Sequence, residues 1–231
     1  MHKSAYKKYF KNILDQSVRS DNLDQMVQTI YFAPELFKPM PRIKEFDPDT
    51  ALGRALELFW RQGYEGTSLK QLLDAMGIRR QSLYDTFGDK HSLFLAVLDR
   101  YRDNVMTLVD QHLGEGASVA SIHGFFQYYL AEIMQTDQRA CLMANAALER
   151  SLRDPEVATR VHNYLQTLEL ALRKVLEQAR RTGELREDAS PVALSRHLVS
   201  CLMGLSVMGR GAKLSRPALR QLITTALAAL E

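Results

Sequence analysis

Arg79, Arg80, Gln81, Ser82 and Tyr84 lie within six positions of one another. Guanidinium, carboxamide and hydroxyl groups reach phosphates and base edges, so the chemistry they offer is nucleic-acid binding. The apolar residues among and around them, Ile78, Leu83 and Phe87, fall on the opposite side of a short helix. Lys90 adds a charge a little further on. The stretch begins with Thr67 and Ser68, either of which can cap a helix through its hydroxyl. Such a helix start also offers free N–H groups to a phosphate.

These side chains need elements that hold them out. Leu69, Leu72, Leu73 and Met76 form one helical stripe, and Gly77 stops that helix by taking the left-handed conformation. A second, shorter helix is predicted to start at once. Helix, short Gly turn, helix with a polar outer face is the helix-turn-helix pattern, in which the second helix enters a major groove. A first helix is predicted from about Asp49 to Gln62, capped by Asp47 or Asp49, with Leu52, Ala55, Leu56 and Phe59 buried and Gly63 at its end. Trp60 and Tyr64 read as packing. A fourth helix, carrying Leu93, Phe94, Val97, Leu98 and Tyr101, links this head to the C-terminal body.

The run Phe46-Asp47-Pro48-Asp49-Thr50-Ala51-Leu52 through Leu58-Phe59-Trp60-Arg61-Gln62-Gly63-Tyr64-Glu65-Gly66-Thr67-Ser68 resembles the amino-terminal domain of the tetracycline-repressor (TetR) family. So do Gly77-Ile78, Ser82-Leu83-Tyr84 and Phe87-Gly88-Asp89-Lys90 leading into Leu93-Phe94. The likeness spans residues 42–102. It implies an all-α homodimer with an N-terminal helix-turn-helix three-helix head and a C-terminal helical ligand-binding and dimerisation body, about nine helices in all. It also implies that the fourth helix carries an allosteric signal. The expected division is an N-terminal extension over 1–41, a DNA-binding domain over 42–102 and a ligand-binding and dimerisation domain over 103–231.

Charge argues less directly. The chain carries a formal +3. Residues 42–102 hold ten Lys and Arg against nine Asp and Glu, so positive charge must be concentrated at Arg79, Arg80, Lys70 and Lys90, with Arg42 and Lys44 as a short arm. Residues 1–39 contain Lys-rich amphipathic pieces broken by Pro34 and Pro39; they read as an over-long gene start, a mobile tail, or an arm that touches DNA or packs on the body. No run of about 18 uninterrupted apolar residues marks a membrane span, and the amino terminus shows no apolar signal core, so secretion is not expected. Two cysteines, Cys141 and Cys201, form no disulfide framework or zinc spacing, so a reducing cytoplasm is expected.

The body is predicted as helices over about 118–136, 138–152, 155–182, 190–210 and 216–230. The last two are apolar over much of their circumference. Leu198, Cys201, Leu202, Leu205, Leu219, Ile223 and Leu227 are assigned to a dimer interface, a four-helix bundle about a twofold axis; an internal core is the other reading. Phe126, Tyr129, Met134, Cys141, Met143 and Asn145 are the candidates for a ligand pocket, with Phe125, Tyr128, His162 and Tyr164 beside them. The segment from Ala140 to Glu149 is similar to one family branch in which Gly stands where this chain has Ala140.

Scattered histidines at 91, 112, 123, 162 and 197 have no metal spacing, and there is no phosphate loop, so no catalytic residue, metal or cofactor is assigned. The reading is a DNA-binding transcriptional regulator, a repressor released from a near-palindromic operator on double-stranded DNA by an unknown small-molecule inducer, with no membrane partner. Thr67, Ser68, Arg79, Arg80, Gln81, Ser82, Tyr84 and Lys90 are its DNA-binding residues. The alternatives are a thiol-based electrophile or redox sensor through Cys141, and a helical ligand-binding protein without DNA binding.

Overall fold

The computed structural model describes residues 46–135, 141–211 and 214–230. The readings of the N-terminal extension, of Arg42 and Lys44 and of Ala140 fall outside them. Among the described residues there are nine α-helices and no strand.

Helix α1 (Pro48–Gln62) starts where the Asp47 carboxylate accepts the Thr50 N–H at 2.9 Å. Pro48 fills the first turn, where no intrahelical donor is needed. Its buried stripe is Ala51, Ala55, Leu56 and Phe59, with Leu52 only partly covered. Helix α2 (Leu69–Met76) opens with a reciprocal cap: Gln71 N–H donates to Ser68 Oγ at 3.2 Å, and Ser68 N–H to Gln71 Oε1 at 2.8 Å. It closes at Gly77, whose φ of 68° is left-handed and lets both Gly77 and Ile78 donate to the Leu73 carbonyl. Helix α3 (Arg80–Phe87) begins two residues later than predicted, with Arg79 as an extended cap. Ile78 and Arg79 are consumed in the turn. Leu72, Met76 and Leu83 seal this corner, and Phe94 meets Phe59 edge-on at 5.0 Å.

Helix α4 (Lys90–Leu113) is capped by Asp89, which accepts the Ser92 N–H at 2.7 Å. At 1.5 Å per residue it spans about 36 Å. It packs on α1 at one end and on the body's α7 further along. The predicted division at residue 102 therefore falls inside a continuous helix, and Phe46–Glu231 forms one compact unit.

The body comprises α5 (Val119–Gln135), α6 (Leu142–Glu149), α7 (Pro155–Thr182), α8 (Pro191–Gly211) and α9 (Arg216–Leu227), followed by a 3-10 turn, Ala228–Leu230. Asp154 caps α7 through the Val157 N–H at 3.2 Å, and Gly183 ends it with a φ of 79°. Helix α6 is much shorter than the predicted 138–152.

The final helices pack differently from the dimer assignment. Leu198, Leu202 and Leu205 of α8, and Leu219, Ile223 and Leu227 of α9, are buried within the single chain, as the internal-core reading has it; Cys201 alone of that set is partly exposed. Periodicity identifies an apolar face but not which chain covers it. The exposed apolar residues of these helices are Val192, Val207, Met208 and Leu222. By length and composition α8 is apolar enough to cross a bilayer, although polar residues interrupt it, and its leucines pack in the core beside α7.

A polar junction joins the helix-turn-helix to the body. Glu149, at the end of α6, accepts the Tyr64 N–H at 2.8 Å. The carboxylate lies where a Cβ on Gly63 would stand, 2.1 Å from Oε1, so only glycine permits the approach. Arg150 bridges Glu65 at 2.9 Å and Asp154 at 3.2 Å, and its guanidinium covers the Tyr64 ring at 4.6 Å. His91 Nε2 is 2.8 Å from Asp154 Oδ2. Burial opposes ionisation of Asp154, but the Val157 N–H, Arg150 and His91 together hold its carboxyl below the ordinary value of 3.8.

This architecture makes two measurable demands. Gly77→Ala places a Cβ at positive φ and is expected to cost about 1–2 kcal/mol, read as a lower urea midpoint with unchanged slope. The depressed Asp154 carboxyl contributes stability that is complete above its ordinary pKa and is lost as pH falls through its folded one. The unfolding free energy of the wild-type chain should therefore drop more steeply below about pH 4 than that of Asp154→Asn, in parallel urea titrations.

Candidate nucleic-acid interface and the cavity behind it

The turn and α3 present the basic residues. Arg79 and Arg80 are exposed and have no acidic partner among the described residues. Tyr84 is 45% exposed, unusually open for a tyrosine with the core residue Leu83 beside it. Gln81 Nε2 donates to Asp85 at 2.7 Å, which fixes its amide along the outer face. Ser82 is half-buried. This face is built as α3 demands: Leu83 is pinned inside, and the residues on either side of it turn outward.

Other assigned positions behave differently. Thr67 does not offer a hydroxyl to phosphate. It is 1% exposed, its Oγ1 donates to the Gly63 carbonyl at 2.6 Å, and its N–H to the Tyr64 carbonyl. Capping falls to exposed Ser68, and the first-turn amides that remain open belong to Leu69 and Lys70. Lys70 pairs with Asp74 at 2.7 Å on the exposed surface. Lys90 is half-buried, its ammonium 4.2 Å from the Tyr64 ring centroid, where burial lowers its pKa. Its charge already serves a contact inside the molecule.

Behind the head lies an apolar cavity of about 100 Å³. Tyr129 and Cys141, two of the six sequence candidates, line it. Phe126 and Met143 do not; they are fully buried packing residues. Met134 and Asn145 are also outside the lining, and Asn145 Nδ2 is a buried donor with no partner. The predicted residues lie on two helices of which only one edge faces the void. The neighbours Phe125, Tyr128 and Tyr164 do line it, whereas His162 does not.

Lining residues that sequence patterning does not reveal are Trp60, Tyr101, Val105 and Leu108 from α1 and α4, and Met203 from α8. Trp60 does pack, edge-on to Tyr101 at 5.2 Å, and the same indole forms a wall. The polar atoms gather at one end: Cys141 Sγ lies 3.7 Å from the Tyr164 hydroxyl. Tyr129 bonds to the Ser206 hydroxyl. Burial raises the pKa of Tyr101, Tyr129 and Tyr164, so these phenols stay neutral.

The chain matches known proteins along both regions. Residues 51–97 match the model of bacterial regulatory proteins of the tetR family, and residues 118–226 that of the tetracyclin repressor-like C-terminal domain. A Bacillus subtilis protein, the uncharacterised HTH-type transcriptional regulator YezE, is 38% identical over 174 residues, covering 74% of this chain and 90% of its own. The Escherichia coli HTH-type transcriptional repressor ComR is 32% identical over 183 residues, covering 78% and 87%. Among solved structures, a cysteine mutant of the TetR-family regulator CifR, complexed with a 26-base-pair operator DNA, superposes with a TM-score of 0.73 at 30% identity, over 83% of this chain and all of the other. With a helix-turn-helix that leaves two arginines unpaired among the described residues, a helical body behind it, and homology along both, this chain belongs to the TetR family of DNA-binding transcriptional regulators.

Proposed function

We propose that this regulator is a homodimeric repressor that binds a near-palindromic operator and leaves it when a small molecule enters the body cavity. The observation that carries the coupling is Trp60, a residue of the DNA-binding head that forms part of the cavity wall. Three residues on, the chain enters the Gly63–Tyr64 turn held by Glu149. Helix α6 closes the circuit from the other side: Cys141 at its start lines the cavity, and Glu149 at its end holds the turn. A ligand that favours a different placement of α6 or Trp60 favours a different head position, and the operator's affinity changes by that differential binding.

In this reading Arg79, Arg80, Gln81, Ser82 and Tyr84 face the major groove, with the start of α2 at Ser68 on a phosphate. The relatives support repression, one being a repressor and another bound to operator DNA. Two heads related by a twofold would reach half-sites roughly 34–36 Å apart. We place the subunit contact on the exposed apolar residues Val207, Met208 and Leu222, which the chain itself leaves uncovered. The regulator acts in the cytoplasm, where its operator lies, and we assign it no catalytic activity. Cys141 is 3% exposed, and no Lys, Arg or His stands among the described lining residues, so reversible occupancy suits the cavity better than thiol chemistry.

The test is fluorescence anisotropy on DNA from upstream of the chain's own gene, with random competitor and a salt series. Arg79→Ala should cost about 1–3 kcal/mol and relax sequence preference. Sequence-blind binding that salt erases and Arg79→Ala does not alter would sink the reading. Val207→Glu combined with Leu222→Glu should convert the dimer to monomer in sedimentation equilibrium; an unchanged mass would move the interface elsewhere.

A further inference from the structure

We propose that the cavity selects small uncharged aromatic molecules bearing one hydrogen-bonding group, and rejects carboxylates, phosphates and organic cations of the same size. This rests on the reading of the cavity as the effector site.

Three observations carry it. The first is shape and surface: the walls are the rings of Trp60 and Phe125 with Val105, Leu108 and Leu168. Apolar cavities of about 150 Å³ accommodate a benzene ring, and the void here, about 100 Å³, is of that order. The second is where polarity sits. Tyr101, Tyr164 and Cys141 meet at one end, all at most 5% exposed, with the thiol 3.7 Å from the Tyr164 hydroxyl. Burial keeps both phenols neutral, so this end offers O–H donors and oxygen lone pairs but no charge. One alcohol, carbonyl or phenol oxygen can be satisfied there.

The third is charge. No Lys, Arg or His stands among the described lining residues. An anion entering would lose its hydration with no cation to replace it. The one acidic residue in the described lining is Glu132. It is an exposed residue, so water and salt screen its attraction for a cation. At the phenol end an ammonium would find neutral oxygen lone pairs and ring faces, which return less than the hydration it loses, and no carboxylate. Neutral guests alone exchange their surroundings without a large desolvation cost.

Trp60 is the only tryptophan of the chain, which makes its emission a reporter of the cavity. The experiment titrates the full-length protein at neutral pH with benzyl alcohol, benzoate and benzylamine, which share a ring and a length but differ in charge. Benzyl alcohol is expected to change the emission saturably, with benzoate and benzylamine at least tenfold weaker. Tyr164→Phe should weaken the alcohol severalfold; Tyr101→Phe serves if the first variant does not fold. Benzoate or benzylamine binding as tightly as the alcohol overturns the proposal, as does saturation by none of the three. Alcohol binding unchanged in a folded phenol variant overturns the polar-end assignment. Operator anisotropy with the same alcohol separates the two levels. Saturable binding without operator release leaves this inference standing and removes the effector reading.

Discussion

The contact on which the arrangement depends is the hydrogen bond from the Tyr64 amide to the Glu149 carboxylate. It exists because residue 63 has no side chain: at a φ of 74°, a Cβ there would overlap the Glu149 carboxylate. The open space at residue 63 thus lets the Glu149 carboxylate reach the amide of the next residue. Around it Arg150 holds Glu65, Asp154 and the face of Tyr64. A charged donor shared among several acceptors is more directional than an apolar contact, so the junction sets an orientation as well as a proximity. Where the recognition helix points relative to the body is decided here and along α4.

Ion pairs, one of them at this junction, account for a head with almost balanced charge. Its acids are largely committed to partners: Asp49 to Arg100, Asp99 to Arg102 and Arg160, Asp74 to Lys70, Glu65 to Arg150. The charge left over is concentrated at Arg79 and Arg80, on the turn and first residue of α3. A count over residues 42–102 averages these populations and conceals the distinction. For DNA, which meets one face, the local surplus matters more than the sum.

The cavity is a consequence of how α1, α4 and the body share space. Helix α4 is long enough to belong to both regions, and Trp60 and Tyr101 meet across α1 and α4 at the point where head packing gives way to body packing. The rings cannot fill that corner completely, and the remaining void is lined by both regions. A molecule placed there touches the reading head and the body at once. In the proposed mechanism, regulation needs a site whose occupancy is felt by two positions of the head, and a void at the seam would supply it without a long relay.

Local interactions were legible in the residues themselves. Asp47, Ser68 and Asp154 cap helices within three residues of themselves, Gly77 ends α2 through its own backbone freedom, and the stripes of α1 and α2 come from the helical repeat of about 3.6 residues. These depend on neighbours in the chain, so the all-helical class, the helix-turn-helix and the outward side chains of α3 could be read directly. Whatever depends on distant segments could not. The leucines of α8 and α9 advertised an apolar face, yet only packing showed that α5, α7 and each other cover it, leaving Val207, Met208 and Leu222 outside. Thr67 looked like a cap until the turn from Gly63 drew its hydroxyl inward. Trp60 looked like core until the cavity opened beside it. Sequence determines which faces are apolar and where helices begin and end, because those are properties of a few consecutive residues; which apolar face meets which, and where the fit is incomplete, is settled by segments tens of residues apart competing for the same volume.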